Sequence, residues 1–562
     1  MRISVKLGMA FPIALGLGLA SAALAEVPKL VVVVVIDQLR SDQLPRWSRN
    51  FLPPRGKSGT PGGFRYLMQE GAYFPLAQYQ HLQGLTAVGH ATIMSGAYPY
   101  QHQIILNEWM DRESGQLIQA PSDERYPIVG DAKGFPVRGI SPKNIGGTTF
   151  IDELKNSGYQ SKAVAISLKE RSSVLLGGHR ADLALWFNKE SASWVSSRYY
   201  LPKGELPDWV KAINEPLKAR HEDILQWEAD GDESGTSLPD NRHLERKPPL
   251  DEIGVDFPHQ TKTGSRHAIL FPFGVQITTD MAIAALESMK LGSGPHTDVL
   301  AVSYSSHDSV AHTFGTNSRE LEFLAEFEDR MLARLLGSID QKVGLKNTLV
   351  VLTSDHGASP LTEYLQEVKI PAGRIDEDGI LKACEDIMVK NYGKPKNGPW
   401  MLGYTDLNYY LNPKALRAAG LNMVDVRKKL GRDARMQANI MGGIQYAFTG
   451  EDVRERSLPP GLFADQILKT YVEGRSGDIV FIPKPYHVYT RIPTVHVTGY
   501  AYDRFVPLIM SGPGIKAGRY GQTVNVVDVA PTLSFLTGTI PPSGSEGRVL
   551  SEALKEGSKQ PE

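Results

Sequence analysis

Five consecutive valines, flanked by Leu30 and Ile36, run directly into Asp37. A β-branched run that is apolar at every position fits a strand buried on both faces, as in the middle of a parallel sheet. Two further apolar runs end in the same way. Residues 299–304 lead to Asp308, with His312 four residues on, and residues 349–353 lead to the adjacent pair Asp355 and His356. In open α/β sheets, ligands sit beyond the carboxyl ends of the strands. Asp and His at three such ends, with a later His496, predict one converging site. Carboxylate plus imidazole is the donor set of a hydrolytic zinc-type centre.

The surrounding pattern alternates strands and helices. Helices are predicted over 63–69, 87–95 and 150–156, followed by a strand over 161–166. A second block holds a helix over 275–290, a strand over 299–304 and a long amphipathic helix with Leu321, Leu324, Met331, Leu332, Leu335 and Ile339 at helical spacing. The strand over 348–353 follows. This order implies an α/β fold whose largely parallel sheet is covered on both faces. The stretches 228–267 and 360–486 have a different texture, rich in Gly, Pro, Asn and Asp. We expect a single discontinuous catalytic domain over 26–562, with cap insertions at about 172–272 and 360–486. The acidic run 228–233 lacks the EF-hand pattern and reads as a solvated loop.

Residues 1–25 read as a secretory signal peptide: Arg2 and Lys6 precede an apolar stretch, and Ala23-Leu24-Ala25 forms a small-x-small cleavage site. Export to the periplasm or medium, with cleavage near Ala25, is expected, and no stable membrane span. Cys384 is the single cysteine, so an internal disulfide is excluded. A formal charge of −1 gives no electrostatic footprint for nucleic acid.

Several polar residues have both a chemical and a plain structural reading. Asp308 and His312 share one face if their stretch is helical, as metal ligands or as a solvated face. Asp355 and His356 sit at a strand-ending turn in which Gly357 permits the backbone reversal. Asp37 is either a cation ligand or a helix N-cap. Thr86 precedes the helix over 87–95 as an N-cap or as a hydroxyl placed where backbone N–H groups attract anions. His90 reads as a packing or supporting residue. Lys169 and Arg171, at i, i+2 on one side of an extended segment, could clamp phosphate oxygens together with Asn107, or be surface residues.

Taken together, Val33–Asp37, Thr86–His90, Asn107-Glu108-Trp109, Lys169, Arg171, His307-Asp308, His312, Ser354–Gly357 and His496 with Tyr502-Asp503 resemble the alkaline phosphatase superfamily in its PafA-type branch. The resemblance implies an alkaline-phosphatase-like three-layer sandwich with inserted cap segments. It implies two Zn2+ per chain, one held by Asp37, Asp355, His356 and Thr86, the other by Asp308, His312 and His496. Thr86 would be the nucleophile, with Asn107, Lys169 and Arg171 on phosphate oxygens. The implied activity is hydrolysis of small phosphate monoesters through a phosphothreonine, by a chain expected to be monomeric. The alternative is a phosphodiesterase or nucleotide pyrophosphatase, whose members generally lack the Lys/Arg pair. A sulfatase fits less well, because its Cys/Ser-x-Pro/Ala-x-Arg motif is replaced here by Thr86-Ala87-Val88-Gly89-His90. A metal-storage protein would have no use for Thr86. The family's late histidine usually has Gly-rich surroundings that are missing here. His496 is preferred to His487 on its offset from Tyr502-Asp503.

Overall fold

The valine run forms strand β1 (Leu30–Ile36), and all of its residues are buried. This computed structural model describes residues 27–229, 253–254, 256–261, 264–437, 441–489 and 493–556. After β1 come β2 (Ala72–Gln78), α1 (Thr86–Ser95), α2 (Phe150–Asn156), β3 (Ala163–Ser167), α3 (Glu170–Gly177), β4 (Leu183–Asn188) and β5 (Ser193–Ser197). The second half supplies α4 (Pro272–Ser288), β6 (Asp298–Tyr304), α5 (Ser306–Phe314), α6 (Arg319–Lys342), β7 (Thr348–Thr353), β8 (Phe505–Ser511) and α7 (Val529–Thr537). Residues 1–25 and most of the acidic run 228–233 lie outside the described residues.

The main sheet runs β2-β8-β7-β1-β6-β3-β4-β5, with short strands added at both edges. Its centre is parallel: β1 pairs with β6 and β7, and β3 with β6 and β4. Strands β8, β2 and β5 join antiparallel. The alternation of β1 is buried on both sides. Leu30, Val32, Val34 and Ile36 pack with Val275 and Met281 of α4 and Leu332 and Leu335 of α6. Val31, Val33 and Val35 pack with Ile93 of α1, Phe150 of α2 and Leu533 of α7. The result is a helix–sheet–helix α/β sandwich. Strand register aligns the carboxyl ends: Val35 lies opposite both Thr353 and Ser303, and Ser303 opposite Ser167. The chain leaves four neighbouring strands at one level.

A second, antiparallel sheet is built from Met401–Thr405, Asn408–Leu411, Ile479–Pro483 and Ile444–Thr449, in that spatial order. Its core includes Ile380, Cys384, Val426 and Leu430, and continues into Leu85, Ala87, Val88 and Ala91 around the start of α1. Part of the expected first cap needs correction. Within 172–272, β4 and β5 belong to the main sheet, so the core extends through Ser197. Their Trp186 and Trp194 are buried in the two main cores, an outcome that polar flanking sequence disguised. Among the described residues, no single helix is long and apolar enough to cross a membrane.

Phe150 is fully buried between α2 and the sheet, whereas Leu117 is 45% exposed. Phe150→Ala is expected to cost about 3–5 kcal/mol and Leu117→Ala about 0.5 kcal/mol or less. Chemical unfolding midpoints of the two variants check this contrast.

Candidate active site

The level ends of β7, β1, β6 and β3 bring the polar stations together. Asp37, Asp355 and His356 are fully buried, and Asp308, His496 and Lys169 nearly so. Asp37 is not a helix cap; the following short helix is preceded by Asp42. Asp308 and His312 lie on α5 and meet one turn apart, His312 Nε2 being 3.1 Å from Asp308 Oδ1.

Among the described residues, two groups of donors form. Asp308, His312 and His496 make one, and Asp37, Asp308 and His356 the other, each with its ligand atoms within 4.8 Å of one another. Asp308 is therefore common to both. Asp355 adjoins the second group, its Oδ2 standing 3.5 Å from His356 Nε2. The competing His487 is elsewhere, half-buried on a short strand paired with Gly373–Ile375, with its Nδ1 at the Pro485 carbonyl.

Each imidazole is oriented the same way. Nδ1 of His312 donates to the Thr494 carbonyl (2.7 Å), that of His496 to Gly84 (2.8 Å) and that of His356 to Gly357 (3.0 Å). A carbonyl only accepts, so each Nδ1 carries the hydrogen and each Nε2 turns toward the cluster. His312 Nε2 and His496 Nε2 then face one another at 3.0 Å. Two lone pairs at that distance require a cation, a proton or a metal, to hold them. Among the described residues, buried Asp37 Oδ1, Asp355 Oδ2 and His356 Nε2 have no hydrogen-bond partner. Unpaired buried groups of this kind are costly unless a cation satisfies them. Oxygen and imidazole donors in this arrangement fit divalent zinc.

The ionisation pattern is that of a cluster short of positive charge. Burial, reinforced by Asp308 and Asp355, pushes the Asp37 carboxyl up to about 6. Burial would also raise Asp308, but His312 and Lys169 hold it well below the carboxylate range. Burial, with His496 close by, keeps His356 well below the ordinary histidine value. His496 goes the other way: burial opposes its charge, yet hydrogen bonding to Asp308 carries it up to about 9. Lys169 is the fixed cation of the cluster, its Nζ 2.6 Å from both Asp37 Oδ2 and Asp308 Oδ2.

Thr86 is the first residue of α1, and Leu85, in extended conformation, is the cap. The buried hydroxyl is thus not used as an N-cap. Its helix is pressed into the cluster from both sides. A Cβ on Gly84 would lie 3.1 Å from His356 Cβ, and one on Gly89 only 2.1 Å from the Asp355 carbonyl oxygen. Glycine at 89 permits that approach. His90 donates from Nδ1 to the Thr86 carbonyl (2.7 Å), and the same atom lies 3.2 Å from Asp355 Oδ2. Asn107 Oδ1 accepts from the Ala87 N–H (2.9 Å), which sets its side chain beside the start of α1.

Two local expectations change. Lys169 is extended, but Arg171 already lies in the first turn of α3, so the pair does not share an extended segment. Burial and Arg171 both oppose the charge on Lys169, which Asp308 and Asp37 sustain, and Arg171 draws down the Glu108 carboxyl that burial raises. Gly357 serves a close approach in place of a reversal: a Cβ there would lie 2.2 Å from the Tyr502 carbonyl oxygen. One cluster member had no signal of its own in the sequence. Gln38, directly after Asp37, donates from its side-chain amide to Asp308 Oδ1 at 2.8 Å.

Residues 31–495 match the family of type I phosphodiesterases and nucleotide pyrophosphatases. The alkaline phosphatase PafA of Elizabethkingia meningoseptica is 30% identical over 547 residues, covering 94% of both chains. The chain belongs to this superfamily, in its PafA-type branch. The alkaline phosphatase PhoV of Synechococcus elongatus is also 30% identical, over 94% of this chain and 93% of its own. The crystal structure of wild-type PafA superposes with a TM-score of 0.84, covering 94% of this chain and 99% of that one. The α/β fold is that of PafA, and the chain is a phosphatase-type hydrolase.

If cations complete this cluster, removing divalent metal with a chelator lowers the thermal midpoint, and adding Zn2+ restores it. At a free metal concentration a hundred times the dissociation constant, the linkage amounts to about 2.7 kcal/mol. Differential scanning fluorimetry with Asp308→Asn as control checks it, because that variant loses the shared ligand.

Proposed function

We propose that this protein is an exported phosphate-monoester hydrolase that works through a covalent phosphothreonine at Thr86. Asp37, Asp355, His356 and Thr86 would hold one Zn2+, and Asp308, His312 and His496 the second. Ions there supply Lewis-acid stabilisation of the ionised threonine oxygen and of charge on the phosphoryl group.

The observation that carries the monoester reading is Lys169, buried with its ammonium against both Asp37 and Asp308, with Arg171 two residues on. A monoester dianion carries one more negative charge than a diester, and a buried ammonium and a guanidinium beside it compensate that charge. Asn107, fixed at the start of α1, adds an amide donor. Thr86 stands at the amino end of a buried helix, where N–H groups and the helix dipole favour an anion.

In the first step, Thr86 gives up its hydroxyl proton to water, and Oγ forms a bond to phosphorus while the bond to the alcohol oxygen breaks. The departing alkoxide takes a proton from water. In the second step, water displaces the threonine oxygen, releasing inorganic phosphate and regenerating the hydroxyl. Positioning and electrostatics dominate such a transfer, so charge placement decides its rate. Export rests on the leader pattern over residues 1–25.

The diesterase reading is favoured by the family description itself, and the same variants separate the two. Thr86→Ala is expected to abolish turnover of an aryl phosphate and the burst that accompanies phosphoenzyme formation, while the protein stays folded. Full turnover by that variant would refute the covalent route. Lys169→Ala is expected to reduce kcat/KM for an aryl phosphate monoester at least tenfold more than for the matching diester (about 1.4 kcal/mol). Equal losses would favour the diesterase.

A further inference from the structure

Gln38 occupies a position that no ligand or nucleophile assignment explains. It follows Asp37 at the end of β1 and is buried, 1% exposed. Its φ of +71° lies in the left-handed region, which disfavours any residue with a Cβ. Glycine is the residue that this backbone would accept without strain. Glutamine stands there instead, and its side-chain carbonyl oxygen is buried with no donor among the described residues. Neither feature helps folding. Both make sense if the rest of the residue is required by the cluster.

Two hydrogen bonds show how. The Gln38 backbone N–H donates to Asp355 Oδ1 at 3.0 Å. Its side-chain Nε2 donates to Asp308 Oδ1 at 2.8 Å and lies 3.4 Å from His312 Nε2. Asp355 and Asp308 arrive from β7 and β6, on opposite sides of β1. A residue leaving β1 lies between them. The backbone bond occupies one oxygen of Asp355 and leaves Oδ2 facing His356. The amide bond fixes the rotation of the carboxylate that belongs to both donor groups. Carboxylates and imidazoles that bind metals are commonly oriented by such outer hydrogen bonds.

We propose that Gln38 is a positioning residue that couples the two metal-ligand groups, by holding Asp308 from its side chain and Asp355 from its backbone. The inference rests on the two-metal reading of the site. Because the left-handed backbone suits glycine, Gln38→Gly removes the amide while relaxing the main chain. A purely structural glutamine and a positioning glutamine therefore give opposite results.

The test is Zn2+ affinity and stoichiometry of the full chain, by competition with a chromophoric chelator, together with the unfolding temperature of metal-free protein. For Gln38→Gly, Zn2+ affinity is expected to fall about tenfold to a hundredfold, with the metal-free unfolding temperature unchanged or raised. Gln38→Ala is expected to lose affinity similarly, with a lower unfolding temperature than Gln38→Gly. Wild-type affinity in Gln38→Gly overturns the proposal, as does a loss of affinity matched by a fall in its metal-free unfolding temperature. Asp308→Asn is measured alongside. If it too binds two Zn2+ with wild-type affinity, the two-metal reading falls, whereas a null result at Gln38 alone removes only the positioning role.

Discussion

Three buried carboxylates converge where one lysine ammonium reaches only two of them, and that imbalance governs the rest of the molecule. Asp37, Asp308 and Asp355 are all withdrawn from water, and Lys169 reaches two of them. Burying like charges in a low-dielectric interior is strongly unfavourable without compensation. The three histidines answer it from the other side, each committing Nδ1–H to a backbone carbonyl and leaving Nε2 inward. Such a centre is unstable as a set of bare protein groups. It is suited to hold cations.

The scaffold meets this demand with register. Parallel pairing of β7, β1, β6 and β3 stops four strands at one level, so residues more than 300 positions apart in the chain become neighbours. The valines of β1 can occupy the centre because both faces are covered by helices. The helix that begins with Thr86 is then brought in to backbone contact, which the missing side chain at Gly89 permits. The smaller sheet shares a hydrophobic core with the beginning of that helix. The smaller sheet and the start of the helix that carries Thr86 are therefore mechanically linked, and shifts in one are felt by the other.

Much of the fold was legible in residue order. The valine run, the helical spacing of Leu321, Leu324, Leu332 and Leu335, and the apolar runs before Asp308 and Asp355 correspond to β1, α6, β6 and β7. Period and β-branching are local properties, and these elements were buried deeply enough for local pattern to decide them. The strands β4 and β5 were missed as core because their stretch is interrupted by polar turns. The shared role of Asp308 and the position of Gln38 were equally hidden. A glutamine beside an aspartate looks the same in sequence whether it faces water or two carboxylates.

Sequence alone determined which groups could do chemistry: the acids and imidazoles at the ends of strand-forming runs, and a threonine opening a helix. It did so because a strand's end and a helix's start are written in the residues that form them. Tertiary structure alone decided how these groups combine: that Asp308 serves both donor sets, that His496 is included and His487 is not, and that Lys169 lies between two carboxylates. Those relations depend on distances across strands and loops remote in the chain, where packing, not local pattern, sets the ångström.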